Sequence, residues 1–454
     1  MRTKLNQLWD WLRSSFWFVP SLSTLVAIGL ARTTLSLDSS GRGFLKKLEG
    51  WLYAGGPEGA QTLLSTIAGS LITVAGVAFS VTIVVLSLTS TQFGPRLLRN
   101  FMRDLGNQTV LGAFIATFLY CILVLRTIRI GEENGFVPHF SITVAVILAV
   151  FNLFLLIYFI HHISAAIQAT SVITAVARDL DEVIDHLFPE ELGESAFEQK
   201  RPERGVAVPD PEREFTPIHS EETGYLQAIE NNTLLTLASK NDILIRLECR
   251  PGDFINQGDT LGKGWPKIQI DSAVKRQINH TFILGKDRTF TQDIAFGIDQ
   301  LAEIAVRALS PSTNDPFTAM IAIDYLGAAL CRLAKRVIPS PYRFDPDHHL
   351  RVIAKTVTFP EILERAFTPI HHYGKTAPIV TLCLLKVLST IAAHVVREED
   401  RSAILRLANR IKQESRKLSE SEDREAVEKQ YRLFLSAFQG SEDRWGATRA
   451  EGKR

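Results

Sequence analysis

Hydroxyl-bearing residues recur at a fixed spacing within one long uncharged segment of this chain. Four of them follow each other at intervals of seven residues: Thr66, Thr73, Ser80 and Ser87. Seven residues make about two turns of an α-helix, so these hydroxyls fall on one face. Gly69, Gly76 and Ser70 lie in the same neighbourhood. This face could bind polar groups of a neighbouring helix or offer oxygens to a passing ion or solute.

Two interpretations of this stripe compete. In the first, small residues let helices approach closely, and the hydroxyls bond within the helix or to a neighbour. In the second, copies of the helix surround an axis and line a polar path. The candidate lining residues would be Thr66, Ser70, Thr73, Ser80 and Ser87. The spacing alone favours packing.

A basic segment follows the stripe. Gly94 and Pro95 predict the end of the helix, and Arg96, Arg99 and Arg103 come directly after them. This short amphipathic segment suits either the headgroups of anionic lipid or an exposed loop. If the preceding helix lines a path, the three arginines would ring its mouth and favour anions, unless lipid neutralises them.

The clearest loop motif in the second half is Ser310–Phe317. Asp315 can cap a helix that begins with Pro316, because proline at the first helical position loses no hydrogen bond. The alternative is a binding loop in which Asn314 and Asp315 contact a ligand. The sequence leaves both open.

No motif points to an enzyme. The chain has no phosphate-binding loop, dinucleotide fingerprint, zinc-protease motif or nucleophile elbow. The histidine pairs His348-His349 and His371-His372 show no metal-ligand spacing, so we expect no metal and no cofactor. The four cysteines are far apart and fit buried apolar positions. A net charge of +1 gives no reason to expect nucleic acid as a partner.

The elements that carry these residues divide the chain into an apolar and a charged half. The mean hydropathy is +0.08, and the long uncharged runs lie before residue 165. A membrane-spanning helix needs about 20 apolar residues. Four predicted spans meet this length: about 16–37, 62–92, 106–128 and 138–163. The sequence thus predicts a four-helix transmembrane bundle within residues 1–165, with the lipid bilayer as its partner.

The second half predicts a soluble α+β region in several parts. A helical extension and charged linker cover 166–215, and short β-rich runs over 216–287 predict a small β-barrel or sandwich. Apolar residues at helical spacing predict a helical domain over 288–438. The polar stretch 439–454 is predicted to be disordered.

A fifth span is rejected on sequence grounds. Residues 377–396 are apolar, but Lys386, Thr390, His394 and Arg397 fall at helical spacing and form a polar stripe. With four spans, both termini lie on one side of the membrane. The absence of a disulfide framework favours the cytoplasm for both.

Together, these segments resemble the DUF2254 family, a bacterial family of uncharacterised membrane proteins. The resemblance covers nearly the whole chain and rests on these segments: Ser15–Pro20, Ile67–Ser70, Ser90–Arg96, Tyr158–Ile163, Pro251–Phe254, Ala308–Pro311 and Asn314–Phe317. It implies a multi-pass protein of the bacterial inner membrane with an N-terminal membrane region. It implies no activity and assigns no functional residue.

Two main functions are compatible with these observations. The first is a homo-oligomeric channel or passive transporter, with the second helix lining the path and a cytoplasmic soluble domain. The second is a membrane-tethered ligand-sensing or scaffold protein without transport activity. An enzyme with an unrecognised site around Asn314, Asp315 and His371 is the weakest hypothesis, because no residue pattern supports it.

Overall fold

The computed structural model describes residues 17–40, 52–94, 104–129, 136–188, 215–267 and 270–451, with side chains described as far as residue 440. The chain divides into two units, Met1–Val172 and Ile173–Arg454. The division separates the apolar half from the charged half, as the hydropathy pattern predicts.

The first unit contains helices at the four predicted positions. They are α1 (Phe18–Ser39), α2 (Pro57–Phe93), α3 (Leu105–Leu125) and α4 (His139–Ala166). Helix α3 packs against the other three, and α4 also contacts α1 and α2. The outer surface is apolar: Val150, Phe151 and Phe154 on α4 are among its exposed side chains. Such a surface suits lipid.

Helix α2 is longer than the sequence predicted. It has 37 residues and begins at Pro57, where proline at the first position is pre-organised for a helix. It ends at Phe93, because Gly94 adopts a φ of +110°, which glycine accepts more readily than other residues. At 1.5 Å per residue the helix is about 55 Å long, well beyond the roughly 30 Å hydrocarbon layer.

Five helices of the described chain are long and apolar enough to cross a membrane. Four are α1 to α4, and the fifth is α9 (Pro316–Ala334), which the sequence analysis did not single out. Ala322, Ile323 and Leu326 of α9 are buried within the second unit. Its Arg332 pairs with Asp185 in that unit. Packing in a protein core therefore accounts for the apolar composition of α9.

The strands of the second unit form two sheets. Their bounds are β1 Thr216–His219, β2 Gly224–Ile229, β3 Leu244–Leu247, β4 Phe254–Ile255, β5 Thr260–Trp265, β6 Phe282–Gly285, β7 Tyr342–Phe344 and β8 Leu350–Ile353. One sheet has the order β1-β5-β3-β8-β7 and the other β4-β2-β6. All pairings are antiparallel except β3 with β8.

The prediction was a small barrel or sandwich, and the described strands form no closed barrel. In the described residues both sheets are open, and helices α6 (Asn231–Lys240) and α7 (Ser272–Asn279) share their apolar core. Strands β7 and β8 come from the segment 288–438, which was predicted as helical only. Strands β7 and β8 have only three and four residues, too few for a polar and apolar alternation to predict them from the sequence. Strand β8 is stabilised by pairing with the distant strand β3.

The remaining helices pack with α9 around buried apolar side chains such as Ile304, Leu330 and Leu388. They are α5 (Ala169–Leu187), α8 (Ile294–Ala308), α10 (Phe359–Gly374), α11 (Pro378–Ala392), α12 (Glu398–Ser415) and α13 (Ser421–Glu451). The rejected fifth span corresponds to α11, whose 15 residues are too few to cross a bilayer. His394 and Arg397 follow the end of that helix, so only Lys386 and Thr390 of the predicted polar stripe lie on it.

The C-terminal segment also differs from expectation. Helix α13 continues to Glu451, into the stretch 439–454 that was predicted as disordered. Alanine, glutamate and arginine in this stretch are good helix formers, which fits the continuation. The charged linker lies mostly at 189–214, outside the described residues.

Candidate functional site

The hydroxyl stripe of α2 faces away from the other helices of its own bundle. Thr66, Ser70, Thr73, Ser80 and Ser87 are all exposed. Thr73 lies two residues from Leu71 and two from Ala75, which are both buried. Two residues correspond to about 200° around a helix, so the hydroxyl points almost opposite to this buried pair.

The buried side of α2 is a seam of alanine and larger apolar residues with two threonines. It comprises Ala60, Leu64, Ala68, Leu71, Ala75, Ala78, Thr82, Val85, Thr89 and Phe93. Leu71 and Val85 share a cluster with Val110 and Phe114 of α3 and with Phe159 of α4. The bundle therefore uses one side of α2 and leaves the hydroxyl side open.

The exposed hydroxyls bond to their own helix. The hydroxyls of Thr66, Thr73 and Ser80 each donate to the carbonyl oxygen four residues earlier, over 2.8 to 2.9 Å. A Cβ atom built at Gly69 or Gly76 would meet no atom within 4 Å. These bonds satisfy the hydroxyl protons, and the glycines leave room for a close neighbour.

The predicted basic segment is the next candidate along the chain. Arg96, Arg99 and Arg103 lie at 95–103, outside the described residues. Asp104 caps α3 by accepting a hydrogen bond from the Gly106 amide over 2.8 Å.

A polar pair joins two helix ends near this point. Asp104 Oδ2 lies 2.6 Å from His162 Nε2, and the His162 ring stacks on Tyr158 with ring centroids 5.3 Å apart. His161 is exposed on another side of the helix. The pair fixes the start of α3 to the end of α4, a role that the residue types alone did not indicate.

Buried polar contacts inside the bundle were also missed from the sequence. Asn152 Nδ2 donates to Thr117 Oγ1 over 2.8 Å between α4 and α3. Asp38 at the end of α1 accepts hydrogen bonds from the Phe140 and Ser141 amides at the start of α4, both over 2.9 Å. A lone Asn in an apolar helix is a signal for such a contact, because a buried amide needs a partner.

In the second unit, the loop candidates have a structural role. Asp315 caps α9, since Oδ1 accepts from the Thr318 amide over 3.1 Å and Oδ2 from the Thr318 hydroxyl over 2.5 Å. The two bonds from Thr318 hold the pKa of Asp315 below its usual value. Asn314 is exposed and has a φ of +46°, a conformation that Asn accepts better than most residues. The cap proposed from the sequence is thus present.

One group of potential metal ligands was overlooked. Ligand atoms of Asp345, Asp347 and His349 lie within 4.8 Å of one another at the turn between β7 and β8. Asp345 accepts a hydrogen bond from Arg351 Nε over 2.7 Å, and this bond lowers its pKa to about 2. The arginine partner accounts for Asp345 in the turn, so the group supplies no separate reason to expect a metal.

His371 is buried between α10 and α12. Its side chain is 5% exposed, and its Nε2 lies 3.4 Å from Glu414 Oε2. Burial lowers the pKa of His371, and this effect is larger than the opposing effect of Glu414. The structure places Asn314 and Asp315 at the α8–α9 loop and His371 at the contact between α10 and α12.

Comparison with known proteins gives a family and several relatives. A family described as "Predicted membrane protein (DUF2254)" matches residues 13–390. The chain is 30% identical over 434 residues to an uncharacterized protein of Mycobacterium bovis and to uncharacterized proteins of two Mycobacterium tuberculosis strains. These alignments cover 94% of this chain and 81% of each relative. No solved structure matches the chain.

Proposed function

This chain belongs to the DUF2254 family of predicted membrane proteins, and from that premise we propose that it is a homo-oligomeric channel or passive transporter. Copies of α2 surround the path, and their hydroxyl stripes face it. The unit from Ile173 onward is its soluble domain. Both termini lie in the cytoplasm of a bacterial cell, and the bundle crosses the inner membrane four times.

The observation that carries this proposal is the outward direction of the stripe. Thr66, Thr73, Ser80 and Ser87 are exposed, while the alanine-rich seam on the opposite side packs against the bundle. From Thr66 to Ser87 the stripe is about 31 Å long at 1.5 Å per residue, which matches the hydrocarbon layer. Val77 and Val84 lie on the same face between these hydroxyls, so a solute would meet a hydroxyl about every 10.5 Å across the apolar region.

Packing within the same chain does not explain the stripe. The large exposed residues Ile72 and Phe79 lie on another side of α2 and suit lipid, whereas Gly69 and Gly76 lie beside the hydroxyls and add little apolar area. Small residues in membrane helices are typical of close contacts between helices. Since no described helix of this chain occupies the stripe, a second copy of α2 is the natural neighbour.

Transport through such a path would be passive. No Asp, Glu, Lys or Arg lies between Glu58 and Arg96. A proton-coupled pump normally carries an ionisable side chain within the membrane to bind and release the proton. The stripe offers hydroxyl oxygens only, so it supports movement down a gradient.

Flux through vesicles tests the proposal. Purified protein is reconstituted into liposomes, and the efflux of trapped ions and small solutes is measured for wild type, Ser80→Leu and Val81→Leu. Leucine at Ser80 places an apolar side chain on the stripe, whereas Val81 lies about 100° around the helix. We expect Ser80→Leu to reduce flux at least tenfold, about 1.4 kcal/mol of added barrier, and Val81→Leu to leave it unchanged.

The other outcomes are equally informative. Wild-type flux that survives Ser80→Leu would show a path elsewhere in the protein. No flux for any ion or solute would reject the channel in favour of a membrane-tethered ligand-sensing or scaffold protein.

A further inference from the structure

Exposed apolar side chains of the second unit are concentrated at one end. In the part of this unit that the structure describes, the exposed large apolar residues are Phe254, Phe317, Tyr373, Ile379 and Leu433. Phe317 is 67% exposed and Tyr373 57% exposed. Three of these five residues belong to neighbouring helix ends: Phe317, Tyr373 and Ile379.

Helices α5 and α9 run in the same direction. Thr174 near the start of α5 donates a hydrogen bond to the Tyr325 hydroxyl over 3.1 Å. Further along both helices, Asp185 accepts one from Arg332 Nε over 2.9 Å. Phe317 precedes Tyr325 by about 12 Å of helix at 1.5 Å per residue. It therefore lies at the end of the unit where α5 begins.

Helix α11 begins at the same end. It runs parallel to α9, because Cys383 Sγ lies 3.9 Å from Asp324 Oδ1 and Val387, further along, packs on Gly327. Ile379, in the first turn of α11, is therefore at the level of the first turn of α9.

Tyr373 reaches this end from α10. Helix α10 runs parallel to α8, because Arg365 pairs with Asp299 and, further along, Gly374 contacts Leu309. Leu309 is followed by the short loop that leads into α9. We call the surface formed by Phe317, Tyr373 and Ile379 the aromatic end of the unit.

The chain also arrives from the membrane at this end. Helix α4 ends at Ala166 and α5 begins at Ala169, so only two residues separate a candidate membrane span from α5. A linker this short spans less than about 11 Å between its flanking residues. The start of α5 therefore lies near the end of that candidate span, and the first turn of α9 is at the same end of the unit as the start of α5.

The charges at this end fit a membrane surface. Lys375 and His372 are exposed beside Tyr373. The nearby carboxylate of Asp315 keeps its negative charge and caps α9 through its bonds with Thr318. Aromatic side chains together with basic ones are typical of surfaces that rest in the headgroup region.

We propose that the aromatic end of the second unit docks on the lipid headgroups, with Phe317, Tyr373 and Ile379 inserted at the interface. Because the bundle tethers the unit to the same bilayer, weak insertion is enough: the tether keeps the local concentration of lipid high. The proposal is independent of the channel function and holds for a tethered scaffold as well.

Spin labelling of the full-length protein tests this contact. Phe317→Cys and the control Phe254→Cys are made in a Cys331→Ser background, since the other native cysteines are buried. Both carry a nitroxide and are reconstituted into vesicles of phosphatidylcholine and phosphatidylglycerol. Power saturation compares access of oxygen, which concentrates in lipid, with access of a water-soluble nickel chelate. Both phenylalanines are exposed, so neither substitution removes a core side chain.

We expect the label at residue 317 to favour oxygen and the label at residue 254 to favour the nickel chelate. Equal access of the chelate at both positions would overturn the proposal. A label at 317 that is shielded from both reagents would overturn it too, because it would show that protein covers the aromatic end. A label at Tyr373→Cys must give the same result as the one at 317.

Discussion

At the scale of single residues, two adjacent histidines near the end of α10 have different surroundings. His371 is buried against α12, whereas His372 is exposed. The charged groups with the largest electrostatic effect on the pKa of His371 are Glu414, Arg410 and Lys375. Burial disfavours the imidazolium form more than Glu414 favours it, so His371 is neutral in the folded protein at neutral pH.

The burial of His371 predicts that the stability of the fold around α10 and α12 depends on pH. The pKa of His371 is lowered on folding, so below its unfolded value of about 6.5 the unfolded chain binds more protons. The contribution to stability is therefore complete above that pH and is lost as pH falls. We expect hydrogen-exchange protection of α10 and α12 to decrease between pH 7.5 and pH 5.5, and His371→Gln to weaken that decrease. His372→Gln is the control. If the His371→Gln variant shows the same decrease in protection as the wild type, other titrating groups cause the decrease and the prediction is wrong.

At the scale of elements, two turns before β4 and β5 use the same local design. Asp253 accepts a hydrogen bond from the Arg250 amide and Asp259 accepts one from the Asn256 amide. Each turn has a glycine with positive φ, +97° at Gly252 and +92° at Gly258. The turns differ in surroundings. A Cβ at Gly252 would lie 2.4 Å from Asp293 Oδ2, while a Cβ at Gly258 would meet nothing.

The pair of glycines gives a matched test of that difference. Gly258→Ala should cost about 1–2 kcal/mol of unfolding free energy, from the left-handed backbone alone. Gly252→Ala should cost about 1–3 kcal/mol more, because the methyl group must displace the buried Asp293 and disturb its pair with Arg288. Chemical denaturation of both variants measures the difference. Equal losses would mean that the contact with Asp293 relaxes freely.

At the scale of the whole molecule, the two units have different surfaces. The first exposes large apolar side chains along α1, α2 and α4, and the second concentrates a few of them at the aromatic end. The first unit suits lipid on most sides, but the stripe on α2 interrupts the apolar surface. In the assembly that we propose, other copies of the chain are the partner that covers the stripe.

Cross-linking in membranes can identify that partner. We expect Ser80→Cys to give covalent multimers with a short bis-maleimide, because stripes of different copies face one axis. Phe154→Cys, exposed on the apolar surface of α4, should give few, since it would face lipid. The wild type gives the background from its own cysteines. Equal yields from both variants would indicate random collision and exclude an assembly around α2.

Much of this organisation follows from the sequence. Runs of uncharged residues located four of the five described helices that are long and apolar enough to cross a membrane, because a bilayer accepts only long apolar helices. Turn chemistry located the cap at Asp315, which depends on residues close in sequence. The parallel pairing of β3 with β8 could not be predicted in this way, because it joins strands far apart in the chain.

Tertiary structure alone decided how two helices are used. Helix α9 has the composition of a span, but its Arg332 pairs with Asp185 in the second unit. Helix α2 has two faces of small residues, one rich in alanine and one in hydroxyls and glycine. Either face permits close packing, so the sequence could not say which one the bundle buries. The contact with α3 selects the alanine seam, because its larger members fill the space between the helices, and this leaves the hydroxyls of Thr66 to Ser87 facing outward.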